Sequence, residues 1–278
     1  MEIESDLLDP TIDPSTTKPL LAYENIRVDI NGAVARLTLD KAATHNSLTV
    51  RMMEEMVQAI EQLHDAYAVR VILIEASKES KWFCAGVALA DVTPERAFQM
   101  VETFHSIFRA MLEISKPVIT VVNGGAVGAG CELALFGDMV LASERAFFAQ
   151  PEIKAGLFPP IAAIILPLLV GPKRALQMIL TGERIGPQEA LSLGLVNKVV
   201  PEGELEKTVQ GMVTQISEQS APVLEMAKKV IYKSLGLPLL EAMRVSADLY
   251  LNQLMELEDS REGLRAILER RKPVWKNK

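Results

Sequence analysis

Two glutamates stand in surroundings that are unusual for a carboxylate. Glu132 lies in an apolar turn, CELAL, four residues after Gly128, and Glu152 follows a strand-like segment, SERAFFAQP. A carboxylate among apolar side chains is costly unless it has a partner or a task. Two glutamates facing one pocket could share acid–base work, with one protonated and the other ionised. The sequence leaves open whether they face each other, and a solvent-facing charge is the alternative for each.

Two glycine-rich turns could stabilise a developing negative charge. FCAGVALADV at 83–92 and NGGAVGAGCELAL at 123–135 each continue from a predicted strand. Such turns leave backbone N–H groups unpaired, and two N–H groups converging on one oxygen form an oxyanion hole. The second turn fits neither the dinucleotide-binding GxGxxG pattern nor a phosphate-binding GK[ST] loop. Tight strand–helix packing, which also needs small residues, is the alternative for each turn taken singly.

Composition and spacing argue against several other kinds of site. The two cysteines and three histidines have the spacing of neither a disulfide framework nor a zinc site, so we predict no metal. A net charge of −7 argues against nucleic acid as the partner. The longest apolar run, LFPPIAAIILPLLVG, is shorter than a membrane span and contains prolines, so we predict no membrane partner. The acidic N-terminus resembles neither a secretory nor a mitochondrial leader, which predicts a cytoplasmic protein.

Strands that alternate with helices must position these residues. Hydrophobic runs and periodicity predict strands at 33–39, 69–76, 117–125 and 138–144, and helices at 47–65 and 94–114. This alternation indicates an α/β protein with crossover connections. Beyond residue 185 the strand signal is limited to 195–201, and helices are predicted at 203–219, 221–234, 237–257 and 259–271.

Four motifs occur in the order and spacing of a known family. FCAGVALADV, NGGAVGAGCELAL, QPEIKAGLFP and EALSLGLVNKVVP together resemble the enoyl-CoA hydratase/isomerase (crotonase) superfamily, from about residue 23 onwards. The resemblance implies an α/β, crotonase-like spiral of ββα repeats with a C-terminal helical oligomerisation region. It divides the chain into a flexible acidic extension at 1–22, a spiral core with the active site at 23–215 and a helical trimerisation region at 216–278. It also implies a homo-oligomer, either a trimer or a dimer of trimers.

The resemblance further implies a hydro-lyase that adds water reversibly to a conjugated enoyl- or dienoyl-CoA thioester. No separate cofactor is expected, because coenzyme A is part of the substrate. The thioester oxygen would lie between the backbone N–H groups of Val87 and Ala129. Glu132 and Glu152 match the two catalytic glutamates of the hydratases: Glu132 would deprotonate the water, and Glu152 would deliver a proton to the carbon next to the carbonyl.

Six further residues are expected to contact the substrate by the same resemblance. The adenine and pantetheine would lie along His45, Ser47, Ala85 and Leu89, and Phe158 and Pro160 would belong to the wall above Glu152. That wall reads FPPIAAI, where ordinary hydratases have a glycine-rich turn. Pro160 replaces a glycine whose N–H helps to hold the catalytic water, and proline has no N–H. The altered wall is similar to that of hydratases acting on cyclic dienoyl-CoA, such as cyclohexa-1,5-diene-1-carbonyl-CoA in aromatic degradation.

Two other functions remain open at this stage. An isomerase or another enolate-stabilising enzyme would use Glu152 alone to shuttle a proton, since the loss of the N–H at Pro160 favours loss of the water. A non-enzymatic acyl-CoA-binding or assembly protein could keep the fold without the chemistry. The presence of both glutamates favours the hydratase.

Overall fold

The computed structural model describes residues 18–19 and 22–278. Most of the extension at 1–22 that we predicted to be flexible therefore lies outside the described residues. The strands are β1 (Lys18–Pro19), β2 (Ile26–Asn31), β3 (Val34–Leu39), β4 (Val71–Ala76), β5 (Trp82–Cys84), β6 (Val118–Val122), β7 (Gly125–Val127), β8 (Met139–Ser143), β9 (Phe147–Ala149), β10 (Arg184–Ile185) and β11 (Lys198–Val200). The helices are α1 (Val50–Asp65), α2 (Ala97–Glu113), α3 (Ala129–Phe136), α4 (Ala162–Thr181), α5 (Pro187–Ser192), α6 (Leu205–Ser217), α7 (Ala221–Ser234), α8 (Leu239–Asn252) and α9 (Glu258–Leu268).

Three consecutive ββα repeats build the fold. In each repeat the first strand, β4, β6 or β8, joins a seven-stranded sheet of order β1-β2-β3-β4-β6-β8-β11. The second strand, β5, β7 or β9, joins a four-stranded sheet of order β10-β9-β7-β5. From β3 through β4, β6 and β8 to β11, each strand of the large sheet is parallel to the next, so crossovers connect them. The predicted α/β class and the spiral of ββα repeats are confirmed.

The single strand predicted at 117–125 is wrong, because the chain changes sheets inside it. Residues 118–122 form β6 in the large sheet, and β7 begins at Gly125 in the small sheet. Gly124 permits the crossing, since a Cβ there would lie 2.1 Å from the carbonyl oxygen of Lys81. A continuous apolar run shows that a segment is buried, but not where it passes from one sheet to the other.

The large sheet is buried on both faces. Alternate residues of β4 point to opposite sides: Ile72 and Ile74 belong to the main core, and Val71 and Leu73 pack in a second core with α6. Strands covered on both faces read as unbroken apolar runs, which is the pattern of the first four residues of β4, VILI. The turns that carry the site follow the second strand of each repeat, β5, β7 and β9, in the small sheet.

Helix α4 exposes much of its apolar surface. It breaks at Gly171, whose φ is 75°, and its exposed side chains include Ile164, Leu168, Leu169, Leu176 and Leu180. By length and composition it is the one helix among the described residues that could cross a membrane, although it contains prolines.

The C-terminal helices are tied to the core by a partly buried ion pair. Lys228 of α7 lies 2.8 Å from the carboxylate of Asp138, which also accepts the hydroxyl hydrogen of Tyr232 at 2.7 Å. The boundary predicted at residues 215 and 216 falls in the last turn of α6, and the division into two regions remains a prediction.

Candidate active site

Two backbone N–H groups, those of Val87 and Ala129, lie at neighbouring turns. Val87 follows Gly86, which has a φ of 97°, and Ala129 is the first residue of α3. A Cβ on Gly86 would lie 3.6 Å from the nitrogen of Ala129, so the two turns are in contact. Neither N–H donates a hydrogen bond to a residue that the structure describes. Both groups are therefore available to one bound oxygen, with the N-terminus of α3 adding its positive end.

Glu132 is held at the N-terminus of α4. Its side chain is 1% exposed, and its Oε1 accepts hydrogen bonds from the backbone N–H groups of Ile161 and Ala162 at 2.7 and 2.6 Å. These donors satisfy one carboxylate oxygen and fix its orientation. Oε2 accepts no hydrogen bond from the described residues. One oxygen of Glu132 is thus anchored and the other is left to bind something else.

The surroundings of Glu132 raise the pKa of its carboxyl group to near neutral pH. Burial raises its pKa, the two backbone donors lower it and the charge of Glu152 raises it, with the result that the pKa is raised to about 7. A carboxylate with a pKa near the working pH is suited to take up and release a proton in one reaction cycle.

Glu152 lies in a short 3₁₀ helix, Pro151–Ala155, directly after β9. Its Oε1 lies so close to Gly128 that a Cβ on that glycine would be 2.5 Å away. Its Oε2 is buried and has no hydrogen-bond partner among the described residues. Burial raises the pKa of Glu152 above its ordinary value. The side chain therefore favours the protonated, neutral form more than a solvent-exposed glutamate does.

Both glutamates contact Gly128, Glu132 through its backbone N–H and Glu152 through its carboxylate. The carbonyl oxygen of Gly128 accepts the N–H of Glu132 at 3.0 Å, and the carboxylate of Glu152 lies against the α-carbon side of Gly128. Their electrostatic interaction is one cause of the raised pKa of Glu132. The structure thus brings together the two glutamates whose relation the sequence left open.

The four residues expected along the CoA groove lie on two paired segments. The N–H of Ala85 donates to the carbonyl oxygen of His45 at 3.0 Å, and the exposed His45 ring lies 5.4 Å from that of Trp82. Ser47 donates its hydroxyl hydrogen to the loop at Thr44, and Leu89 is 87% exposed. The structure places these residues side by side, and their contact with CoA remains a prediction.

The segment FPPIAAI forms the start of α4 and the loop before it. Pro159 is buried, Pro160 is half-buried and Phe158 is 70% exposed. Since the N–H groups of Ile161 and Ala162 both donate to Glu132, no N–H from 160–162 is left for a water molecule. Any water beside Glu132 must find its partners elsewhere.

Sequence reasoning missed two residues of the site. Gly128 has a φ of 55° and a ψ of −128°, a combination that suits glycine alone, and it leaves the space that the Glu152 carboxylate fills. Gln150 is fully buried, and neither atom of its amide group has a partner among the described residues. The one available signal was a polar residue in the apolar stretch FFAQP.

Among the described residues, no group of three or more His, Cys, Asp or Glu side chains is placed to hold a metal ion. The groups that the structure places in the site are the two carboxylates and the unpaired backbone N–H groups of Val87 and Ala129.

The family model for enoyl-CoA hydratase/isomerase matches residues 29–278 of this chain. Human enoyl-CoA hydratase domain-containing protein 3, a mitochondrial protein, is 35% identical over 246 residues, which are 87% of this chain and 80% of that protein. A probable enoyl-CoA hydratase of Rhizobium meliloti is 33% identical over 263 residues, 93% of this chain and 100% of that protein.

Solved structures agree with these sequence matches. The crystal structure of an enoyl-CoA hydratase from Bacillus anthracis superposes with a TM-score of 0.87 at 30% identity, covering 92% of this chain and 100% of that chain. The structure of human enoyl-CoA hydratase domain-containing protein 3 gives a TM-score of 0.86 at 32% identity, with coverages of 91% and 100%.

Proposed function

The chain belongs to the enoyl-CoA hydratase/isomerase family, and we propose that it adds water reversibly to a conjugated enoyl- or dienoyl-CoA thioester. It is a hydro-lyase of the enoyl-CoA hydratase type. The observation that carries the proposal is a pair of glutamates with raised pKa values that interact electrostatically and both contact Gly128, next to the two unpaired backbone N–H groups of Val87 and Ala129. Adding water across the C=C bond of a conjugated thioester needs a base, an acid and an oxyanion site. These groups can supply all three.

In this proposal the thioester oxygen accepts hydrogen bonds from the N–H groups of Val87 and Ala129. Both donors are fixed by the backbone before the substrate arrives, so little reorganisation is needed when negative charge develops on the oxygen. The acyl carbons next to the thioester then extend past Gly128 toward the two carboxylates. This polarisation makes the β-carbon electrophilic.

Glu132 serves as the base in the proposed reaction. Its anchored Oε1 leaves Oε2 to bind the water, and a pKa of about 7 gives a useful fraction of the ionised form near neutral pH. The water oxygen forms a bond to the β-carbon while Glu132 takes its proton, and the C=C electron pair moves to the enolate. Burial raises the pKa of Glu152, and this residue donates its proton to the α-carbon. The reverse sequence is dehydration.

We further propose a cyclic dienoyl-CoA as the substrate. The chain segment after Glu152 carries two adjacent prolines and then apolar residues, which makes a stiff wall without N–H donors at its start. A flat ring without a long acyl tail suits a stiff apolar wall. In such a site the water would be held by the carboxylates rather than by a backbone N–H.

The test is incubation of the purified protein with three thioesters in oxygen-18 water, read by mass spectrometry. Crotonyl-CoA, a longer enoyl-CoA and the cyclic 1,5-dienoyl-CoA form the panel. We expect the label in the product of the cyclic diene and little in the others. If the product of crotonyl-CoA carried as much oxygen-18 as the product of the cyclic diene, the protein would be a general hydratase. That result would contradict the proposed specificity for a cyclic substrate.

One observation favours the isomerase as a second candidate. Pro160 has no N–H, and the next two N–H groups are taken by Glu132, so no backbone donor of 160–162 can hold a water. Movement of a double bond with no oxygen-18 in the product would identify an isomerase that uses Glu152 alone. Failure to bind any of the three thioesters would instead support a non-enzymatic protein.

We also propose a cytoplasmic homo-oligomer, either a trimer or a dimer of trimers. The exposed apolar side chains of α4 and of the C-terminal helices support burial against further copies of the chain.

Leu168→Arg is expected to reduce the oligomer to a species with the mass of one chain, 30.5 kDa, because Leu168 is 73% exposed on the apolar face of α4. Light scattering after size-exclusion chromatography gives the mass. Lys207→Glu, on the exposed side of α6, is the control and should keep the wild-type mass. An unchanged mass for Leu168→Arg would place any interface elsewhere.

A further inference from the structure

Asn46 is a buried residue in an uncommon backbone conformation. It is 0% exposed and has a φ of 55°, as does its neighbour His45. Residues other than glycine adopt this left-handed region at a cost, and asparagine tolerates it best. Two such residues in succession persist only where the surrounding structure holds them in place.

The side chain of Asn46 ties the loop at 41–48 to the end of β5. Its Oδ1 accepts the N–H of Lys41 at 2.8 Å, which closes the loop on itself. Its Nδ2 donates to the carbonyl oxygen of Phe83 at 3.0 Å and lies 3.3 Å from that of Trp82. The amide group therefore fixes the loop against the strand that leads to Val87.

The same loop then pairs with the turn that follows β5. The N–H of Leu48 donates to Gly86 at 2.8 Å, and the N–H of Ala88 donates to Leu48 at 2.9 Å, which makes a parallel bridge between Leu48 and Val87. Successive N–H groups of an extended chain point to opposite sides. The N–H of Ala88 and the carbonyl oxygen of Gly86 both face the loop. In a trans peptide the N–H points opposite to the C=O, so the N–H of Val87, which shares its peptide unit with the Gly86 carbonyl, points away from the loop. The same turn contacts Ala129.

We propose that Asn46 is a positioning residue for the oxyanion hole: its amide group holds the 41–48 loop in the register that aims the Val87 N–H at the substrate carbonyl. The inference rests on the proposed function, in that a thioester oxygen binds between Val87 and Ala129. Asn46 acts through the backbone and contacts no reacting atom. The sequence places it 41 residues before Val87, so the link exists only in the folded chain.

The experiment measures polarisation of a bound thioester. The probe is sorboyl-CoA, a linear dienoyl thioester whose absorption shifts to longer wavelength when donors polarise its carbonyl. The parent protein carries Glu152→Gln to suppress turnover. We expect the parent to shift the probe spectrum and the added Asn46→Gly change, which suits a positive φ but removes the amide, to abolish most of that shift while the probe still binds.

Steady-state kinetics in the otherwise wild-type protein provide the second readout. Loss of one well-aimed oxyanion donor costs about 10²- to 10³-fold in kcat, so we expect a fall of at least about 10-fold in kcat for Asn46→Gly with little change in KM. Asn46→Asp keeps the acceptor for Lys41 but replaces the donor to Phe83, and the same pattern is expected.

Asn197→Gly is the matched control. Asn197 also holds a strand through its side chain, by accepting the N–H of Val140 at 2.7 Å, but it lies on the segment before β11. Its loss should lower the melting temperature and leave the spectral shift intact. A full shift and full kcat in both Asn46 variants would overturn the inference. If the parent rejects this linear thioester, the cyclic 1,5-dienoyl-CoA replaces it as the probe. A parent that binds either thioester without any shift, or binds neither, would overturn the proposed function instead and the inference with it.

Discussion

Glu132→Gln is expected to lower kcat for hydration by about 10²- to 10⁴-fold, while the dissociation constant of the thioester changes little. Glutamine can still accept the two N–H groups at the start of α4 through its carbonyl oxygen, so the local structure should be kept. What is lost is the oxygen that takes the proton from water. Stopped-flow or steady-state absorbance of the conjugated thioester gives kcat, and calorimetry gives binding.

Glu152→Gln should have a similar effect, because the proton for the α-carbon would then have no donor. Glu144→Gln is the matched control, since Glu144 is an exposed glutamate between β8 and β9. Near-wild-type turnover in either the Glu132 or the Glu152 variant would show that the two-carboxylate mechanism is wrong.

The Glu132 variant should also change the pH dependence of stability. The pKa of Glu132 is raised from 4.5 to about 7 in the folded protein, so the folded state binds this proton more tightly than the unfolded chain. The resulting stabilisation is complete below the unfolded pKa and is lost as the pH rises through the folded pKa.

Glutamine is neutral throughout, so the free energy of unfolding of Glu132→Gln relative to wild type should increase by on the order of 3 kcal/mol from about pH 4 to about pH 8. Urea unfolding at the two pH values measures this. If the difference in the free energy of unfolding between the variant and the wild type did not change with pH, the pKa of Glu132 would not be raised in the folded protein.

Gly128→Ala is expected to lower kcat by about 10²-fold or more, since a displacement on the order of 1 Å in a catalytic group has effects of that size. The new Cβ would lie 2.5 Å from Oε1 of Glu152, so the carboxylate must move. The first turn of α3 would be strained as well, because Gly128 has a φ of 55° and accepts the N–H groups of Cys131 and Glu132.

Gly32→Ala separates the two effects. Gly32 has a φ of 54° in the β2–β3 turn, and a Cβ there would meet nothing within 4 Å. It should therefore suffer the backbone strain without the clash, and lose stability but not activity. In a Glu152→Ala background the clash disappears, so Gly128→Ala should cause little further loss of kcat. If each change instead lowered kcat by its full, independent amount, the contact between position 128 and the Glu152 carboxylate would be contradicted.

Local signals in the sequence were sufficient for the fold class and for the identities of the main groups. The apolar runs of β3, β4, β6 and β8 and the periodicity of α1 and α2 predicted alternating strands and helices, because burial on a face imposes those patterns wherever the partner lies. The crossing between β6 and β7 was not visible, since the same apolar run serves both sheets. The boundary of α1 was missed by three residues because Thr49, which accepts the N–H of Met52, caps it.

By itself the sequence determined that this chain carries two glutamates in apolar surroundings and two glycine-rich turns, since residue type and neighbours are local properties. Only the tertiary structure decided what those groups can do. The anchoring of Glu132 by Ile161 joins residues 29 apart, and the tie from Asn46 to Phe83 joins residues 37 apart. Such contacts depend on which strands are neighbours and on which turns meet at their ends, and therefore on the packing of the whole chain.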